Sequence, residues 1–191
     1  MKKLMFILSA VLVMGSAFAS NVEVLGGGTF NTYNYKLNDA SKASVEDLTK
    51  GFGGYAGVAY TFWEGVGVEG GVDYFNSNYK KDDKKASENT FGPYAAVKYT
   101  YNFAEMPLSL NAKVGGAYYF NKLDDKINSV ETERNGLGLI AGAGLGYNFT
   151  ENFKVGLNGS YRLAKLADKD NKDNKMDFSG FRAGLEFSYE F

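Results

Sequence analysis

Residues 91–103 read FGPYAAVKYTYNF. Phe91, Pro93, Ala95, Val97, Tyr99, Tyr101 and Phe103 alternate with Gly92, Tyr94, Ala96, Lys98, Thr100 and Asn102. A period of two is that of a β-strand, whose successive side chains leave on opposite faces, so this stretch has one apolar and one mixed face. The same alternation recurs on both sides of it. Strands are predicted over 22–35, 50–63, 65–76, 90–103, 108–120, 136–149, 153–165 and 178–191. In the first of them Gly26-Gly27-Gly28 blurs the parity and predicts a bulge.

The expected connections are of two kinds. Glu64, Ala104–Pro107 and Thr150–Asn152 are short; Lys36–Thr49, Ser77–Asn89, Asn121–Asn135 and Leu166–Asp177 are long and polar. They alternate strictly, so all the long loops are expected at one end of the structure. The topology repeats at roughly 43-residue intervals without a sequence repeat.

Composition narrows the chemistry. The chain has 191 residues with 24 Gly, 14 Tyr, 15 Phe, no His and no Cys, and 21 basic residues against 22 acidic. Without His or Cys a Ser-His-Asp triad, the usual zinc and haem ligand sets and any disulfide are excluded. The charge balance gives no reason to expect nucleic acid as a partner. Gly at about 13%, against a usual ~7%, alongside 16% aromatics is neither average globular composition nor that of a linker.

At the start of the chain, Lys2 and Lys3 precede an apolar run from Leu4 to Met14, and Ala17-Phe18-Ala19 follows. This is the pattern of a secretory signal, with cleavage expected after Ala19 and a barrel domain over 20–191. The run is too short to span a bilayer as a helix, and no later segment reaches 18 continuous apolar residues.

The apolar series include Phe52, Val58, Tyr60 and Phe62; Val66, Val68, Val72 and Tyr74; Leu110, Val114, Tyr118 and Phe120; Leu137, Leu139, Leu145 and Tyr147; Val155, Leu157, Tyr161 and Leu163. Aromatics gather at the strand ends and aliphatics in the middles, as around a hydrocarbon band. A soluble lipocalin-like barrel would share the alternation with the apolar face turned inward. The other face decides between them: Gly51, Gly53 and Gly57, then Gly136, Gly138, Gly142, Gly144 and Gly146, suit a crowded narrow interior rather than a water-facing sheet. The fold class expected is therefore all-β, an eight-stranded antiparallel up-and-down transmembrane β-barrel.

Phe181, Ala183, Leu185, Phe187, Tyr189 and Phe191 close the chain at alternate positions. With this terminus, nearly the whole chain resembles the small eight-stranded outer-membrane barrels of Gram-negative bacteria, of the OmpA transmembrane domain and OmpX type. The resemblance implies that Leu185, Phe187, Tyr189 and Phe191 form the signal read by the barrel assembly machinery. It also implies that termini and short turns face the periplasm and the four long loops face outside. Since the sequence stops at its last strand, the OmpX-like side of the family is expected.

On this register the inward charges are Glu23, Glu69, Asp73, Glu186 and Glu190 against Lys98, Lys113, Lys154, Arg162 and Arg182. They fall into layers: Glu23, Lys154 and Glu190 lowest; Glu69, Lys98, Lys113 and Glu186 in the middle; Asp73, Arg162 and Arg182 above. An eight-stranded interior is just wide enough to be filled by side chains, and lone charges there carry a large desolvation cost. A salt-bridged plug is expected, with Glu69 to Lys98 as its leading pair and Asp73 bridging to Arg162 or Arg182. A narrow or gated ion path is the sharper alternative.

Other motifs carry little. Gly65-x-Gly67-x-x-Gly70 spells a dinucleotide fingerprint but opens a strand rather than a helix. Asp168, Asp170 and Asp173 lack the remaining ligands of a calcium loop. The mixed run Lys80, Lys81, Asp82, Asp83, Lys84 and Lys85 reads as a solvated loop tip, with lipopolysaccharide phosphates or a host surface as its functional reading. No catalytic residue, metal or cofactor is expected, because the barrel enzymes that the resemblance brings to mind rely on a His this chain lacks. The function expected is a monomeric structural or surface-interaction barrel, contacting outer-membrane lipid, lipopolysaccharide and host molecules through its loops. A small channel for ions or small solutes is the alternative.

Overall fold

The computed structural model describes residues 21–33, 50–81, 84–126, 130–169 and 175–191; the expected signal, 1–19, and the segments 34–49 and 170–174 lie outside them. The described chain is all antiparallel strand: β1 (Val22–Thr32), β2 (Lys50–Trp63), β3 (Val66–Lys81), β4 (Lys84–Asn102), β5 (Leu108–Asp125), β6 (Val130–Asn148), β7 (Phe153–Asp168), β8 (Lys175–Asp177) and β9 (Gly180–Glu190). Neighbours in sequence pair around the sheet, β6 pairs β7, and β1 pairs β9 from Glu23↔Glu190 to Asn31↔Arg182, so the sheet closes on itself. β8 and β9 lie along the same strand, β7, in one continuous register, Lys165↔Asp177 and Arg162↔Gly180. They are one interrupted strand, which makes the ring eight-stranded and leaves no edge to aggregate.

Short turns connect β2 to β3, β4 to β5 and β6 to β7. At the first, Glu64 and Gly65 both have positive φ, 39° and 86°, the two-residue hairpin geometry whose twist matches the strands. At the last, Thr150 Oγ1 accepts from the amides of Asn152 and Phe153, and Asn152 Nδ2 donates to the Glu190 carbonyl. The chain is pinned at its closing seam by Phe191 N donating to Val22 O at 3.0 Å.

The parity follows the sequence. Phe52, Leu137, Leu139, Val114 and Leu157 face outward and exposed, while Gly51, Lys98, Arg162 and Arg182 face inward and buried. One girdle of outward rings includes Tyr60, Trp63, Tyr101, Tyr147 and Tyr189; the other includes Phe30, Phe52, Tyr74, Phe91, Phe120 and Phe181. On β4 the girdles are marked by Tyr101 and Phe91, about 33 Å apart along the strand. At the usual tilt this gives a band about 25 Å tall, the height of an outer-membrane barrel's apolar belt. Among the described residues no helix is long and apolar enough to cross a membrane; the strands make the crossing.

Two expectations are corrected. The triple glycine holds no bulge: β1 pairs β2 without a break from Val22↔Tyr60 to Thr32↔Lys50, and the irregularity lies instead between Thr61 and Trp63. The stretches expected as long loops over 77–89 and 121–135 are mostly strand, because β3 and β4 stay paired to Lys81↔Lys84 and β5 and β6 to Asp125↔Val130. Both faces of these extensions are largely polar, so the alternation that marks a half-buried strand is missing there. Beyond Tyr74, β3 runs on for about 23 Å. The four strands β3–β6 thus form a sheet that rises above the loop-end girdle.

Candidate functional site: the barrel interior

The interior is built in tiers from residues at alternate strand positions. At the turn end, Lys154 on β7 lies 3.5 Å from Glu23 on β1, and Glu23 takes Lys98 of β4 at 2.6 Å. Lys98 continues to Glu69 of β3 at 3.8 Å, and Glu69 takes Lys113 of β5 at 2.6 Å. Tyr94 also donates to Glu69, at 2.9 Å. The result is one chain of alternating sign, Lys154–Glu23–Lys98–Glu69–Lys113, strung across the lumen. Buried charges survive desolvation only when paired and hydrogen-bonded in this way.

The tier above is held by Arg182 and Glu186 of β9. Arg182 ion-pairs with Asp73 across the lumen, and its guanidinium lies over the Tyr55 ring at 4.4 Å. Among the described residues no base bonds to Glu186. It accepts instead from Tyr55 Oη at 2.5 Å and from Asn158 Nδ2 at 3.4 Å.

Higher still, Arg162 is enclosed by rings. Phe178, Phe75, Tyr119 and Tyr33 have their centroids at 4.6, 4.8, 5.2 and 5.4 Å from its Cζ. The rings of Tyr33, Phe75 and Phe178 also stack on one another at 5.1–5.7 Å. Above them Leu166 and Met176 are fully buried, and Asn121 donates to Glu88 and Thr90 at 2.6 and 2.8 Å. At the turn end two pockets, of about 120 and 340 Å³, share Glu23, Lys154 and Glu190 in their linings, and Glu23 pairs with Lys98.

All the charges read as interior do face inward, yet one pairing differs from expectation. Lys98 binds Glu23 across the lumen more closely than Glu69 on its neighbouring strand, because its long stem spans the narrow barrel. Asp73 pairs with Arg182, one of its two expected partners, while rings cover the faces of Arg162. The inward rings of Tyr33, Tyr55, Phe75, Tyr119 and Phe178 were not foreseen. Their signal was present in Tyr74-Phe75 and Tyr118-Tyr119, since adjacent aromatics on a strand must place one ring inside.

A closed eight-stranded ring, two aromatic girdles and a paired polar interior together describe a barrel set in lipid. The family described as outer membrane protein beta-barrel domain matches residues 5–191. This chain belongs to that family of outer-membrane β-barrels. Among solved structures it is similar to Neisserial surface protein A (NspA), with a TM-score of 0.62 and 16% identity over 89% of this chain and 97% of that one. OprG of Pseudomonas aeruginosa gives 0.62 and 17% over 90% and 97%. Ail, the attachment invasion locus protein of Yersinia pestis, solved with the heparin analogue sucrose octasulfate, gives 0.57 and 16% over 91% and 100%. At such identities these likenesses speak for the fold. No curated protein matches the sequence.

On the outer surface, just above the loop-end girdle of this outer-membrane barrel, Tyr74, Phe91 and Phe120 floor a groove of about 290 Å³ edged by Lys122, Glu133 and Lys169. Lys169 pairs with Glu133 at 2.6 Å and Lys122 with Glu131. The hydrogen bond from Lys169 holds the Glu133 carboxyl below its ordinary pKa.

Proposed function

We propose that this protein is a closed structural and surface-interaction barrel of the outer membrane. The observation that carries the reading is an interior occupied in every tier, from the Lys154–Glu23–Lys98–Glu69–Lys113 chain through Arg182–Asp73 to the rings around Arg162. A lumen so filled leaves the lipid-facing belt and the projecting β3–β6 sheet as the working surfaces. The projecting sheet is the face offered to host molecules. The groove over Tyr74, Phe91 and Phe120, edged by lysines, suits the apolar base and anionic head of outer-leaflet lipid, including lipopolysaccharide. Ail, a protein of similar fold, has been solved with a heparin analogue, which favours an outward-facing interaction role for such barrels.

Residues 1–19 serve as the signal for Sec export, and Leu185, Phe187, Tyr189 and Phe191, all on the lipid face at the closing seam, serve as the assembly signal. The chain acts as a monomer, and no enzymatic role is assigned to a barrel without His. The test compares wild type with a variant whose β3–β4 and β5–β6 hairpins are trimmed to the girdle. Host-cell binding and serum survival should fall while the envelope stays tight. Unchanged binding with a leaky envelope would leave only the structural role. Steady conductance of the refolded wild type in planar bilayers would replace the closed barrel with a channel.

A further inference from the structure

The groove over Tyr74, Phe91 and Phe120 has a defined chemistry as well as a place. Its three floor rings are about half exposed, and Phe91 and Phe120 lie with centroids 6.4 Å apart and planes inclined at 29°, which makes a shallow apolar shelf. These rings belong to the loop-end girdle, so the shelf lies at the level of lipid head groups. Acyl chains would strip water from Lys122, Glu133 and Lys169 at the groove's edge and return no hydrogen bond.

The polar wall is ordered before anything binds. Asn89 Oδ1 accepts from Tyr74 Oη and from Asn76 Nδ2, each at 2.8 Å. That fixes the amide, commits its oxygen and leaves its Nδ2 hydrogens as donors. Glu133 takes Lys169 on Oε2 at 2.6 Å, whereas Lys122, held by Glu131, is 4.0 Å from Oε1 and beyond hydrogen-bond reach. Oε1 is thereby an open acceptor.

Donors and an acceptor thus stand together over an apolar floor. A sugar ring has the matching surface: its C–H face packs on rings, and each hydroxyl both donates and accepts. A phosphate fits less well, because both lysines are already neutralised by glutamates and the Glu133 carboxylate would face it with like charge. At about 290 Å³ the groove stands at the small end of ligand clefts, roughly 300–1,000 Å³, which suits a short saccharide.

We infer that the groove binds a sugar of the outer-leaflet glycolipid head group, stacked on Tyr74, Phe91 and Phe120 and hydrogen-bonded by Asn89 and Glu133. The inference rests on the lipid reading of this groove and narrows the contact from an anionic head to an uncharged ring.

The test uses the refolded full-length barrel in phosphatidylcholine nanodiscs with nitrogen-15-labelled asparagine. Diglucosyl diacylglycerol, an uncharged glycolipid, and phosphatidylglycerol, an anionic lipid without a sugar ring, are added in separate series. The Asn89 Nδ2 resonance, assigned by its loss in Asn89→Asp, is followed. The glycolipid should give a saturable shift and phosphatidylglycerol none. Glu133→Gln should weaken glycolipid binding roughly tenfold, and Tyr74→Phe, which keeps the floor ring but releases Asn89, should weaken it severalfold. Folding is checked by unboiled gel migration, and either variant suffices if the other misfolds. A phosphatidylglycerol shift as strong as the glycolipid's, and strengthened by Glu133→Gln, would overturn the sugar and leave the lipid reading intact. Glycolipid binding unchanged in the folded variants would also overturn the sugar site. No saturable shift with either lipid would overturn both readings together.

Discussion

Lys98 on β4 bonds Glu23 on β1 at 2.6 Å, across the lumen, while Glu69 on the adjacent strand β3 lies 3.8 Å away. One ammonium thereby ties opposite walls of the barrel and links two acids that would otherwise have no common partner.

Lys98→Met should therefore destabilise the barrel by about 3–5 kcal/mol, since it removes the nearest base of buried Glu23 and the tie between the two acids, leaving Glu23 only Lys154 at 3.5 Å. Lys154→Met, at the more open turn end, should cost about 1 kcal/mol. Urea unfolding in lipid vesicles measures both. Adding Glu23→Gln to Lys98→Met should restore part of the loss, and equal costs for the two lysines would contradict the cross-lumen tie.

Refolded wild type should give no steady current in planar bilayers. Tyr119→Ala with Phe178→Ala removes two rings beside Arg162 and should bring open events along with a lower unfolding midpoint, each truncation costing about 3–5 kcal/mol. A quiet trace from a folded double variant would place the barrier in the salt-bridged tiers instead.

Two glycines should respond in opposite directions. A Cβ at Gly115 would sit 2.1 Å from the Ala95 carbonyl and 2.5 Å from Ala96 Cα, so Gly115→Ala should cost about 1–3 kcal/mol. A Cβ at Gly28 meets nothing within 4 Å, and Gly28→Ala should stabilise by about 0.4–1 kcal/mol through the unfolded chain. Thermal gel-shift curves separate the two.

Glu133, held below its ordinary pKa by Lys169, contributes order to the projecting sheet above the unfolded glutamate value, and that contribution is lost as pH falls through the lowered one. The Lys169 amide, bonded to the Glu133 carbonyl at 3.1 Å, should then lose hydrogen-exchange protection below the glutamate range, after correction for intrinsic rates. In Glu133→Gln this added loss should disappear.

Much of the fold is written in one dimension. Period-two alternation names the lipid face residue by residue, as Phe91 to Phe103 illustrates, because a strand has only two sides and a slip of one residue would reverse them all. It fails at Ser77–Lys81 and Glu131–Asn135, where both faces carry polar residues and the hydrophobic signal vanishes although the backbone stays paired. Parity does turn Phe75 and Tyr119 inward, but ring type carries no such signal, since rings serve equally well in lipid and in a packed lumen.

Sequence alone determined the closed antiparallel barrel, its lipid-facing belt and the inward set of charges, since side-chain parity and the sorting of Gly from aromatics are local properties of a strand. Only the tertiary structure decided that Lys98 chooses Glu23, that Asp73 chooses Arg182 and that rings enclose Arg162. Those choices depend on strand stagger and on distances across a lumen, which bring together residues that no spacing along the chain relates.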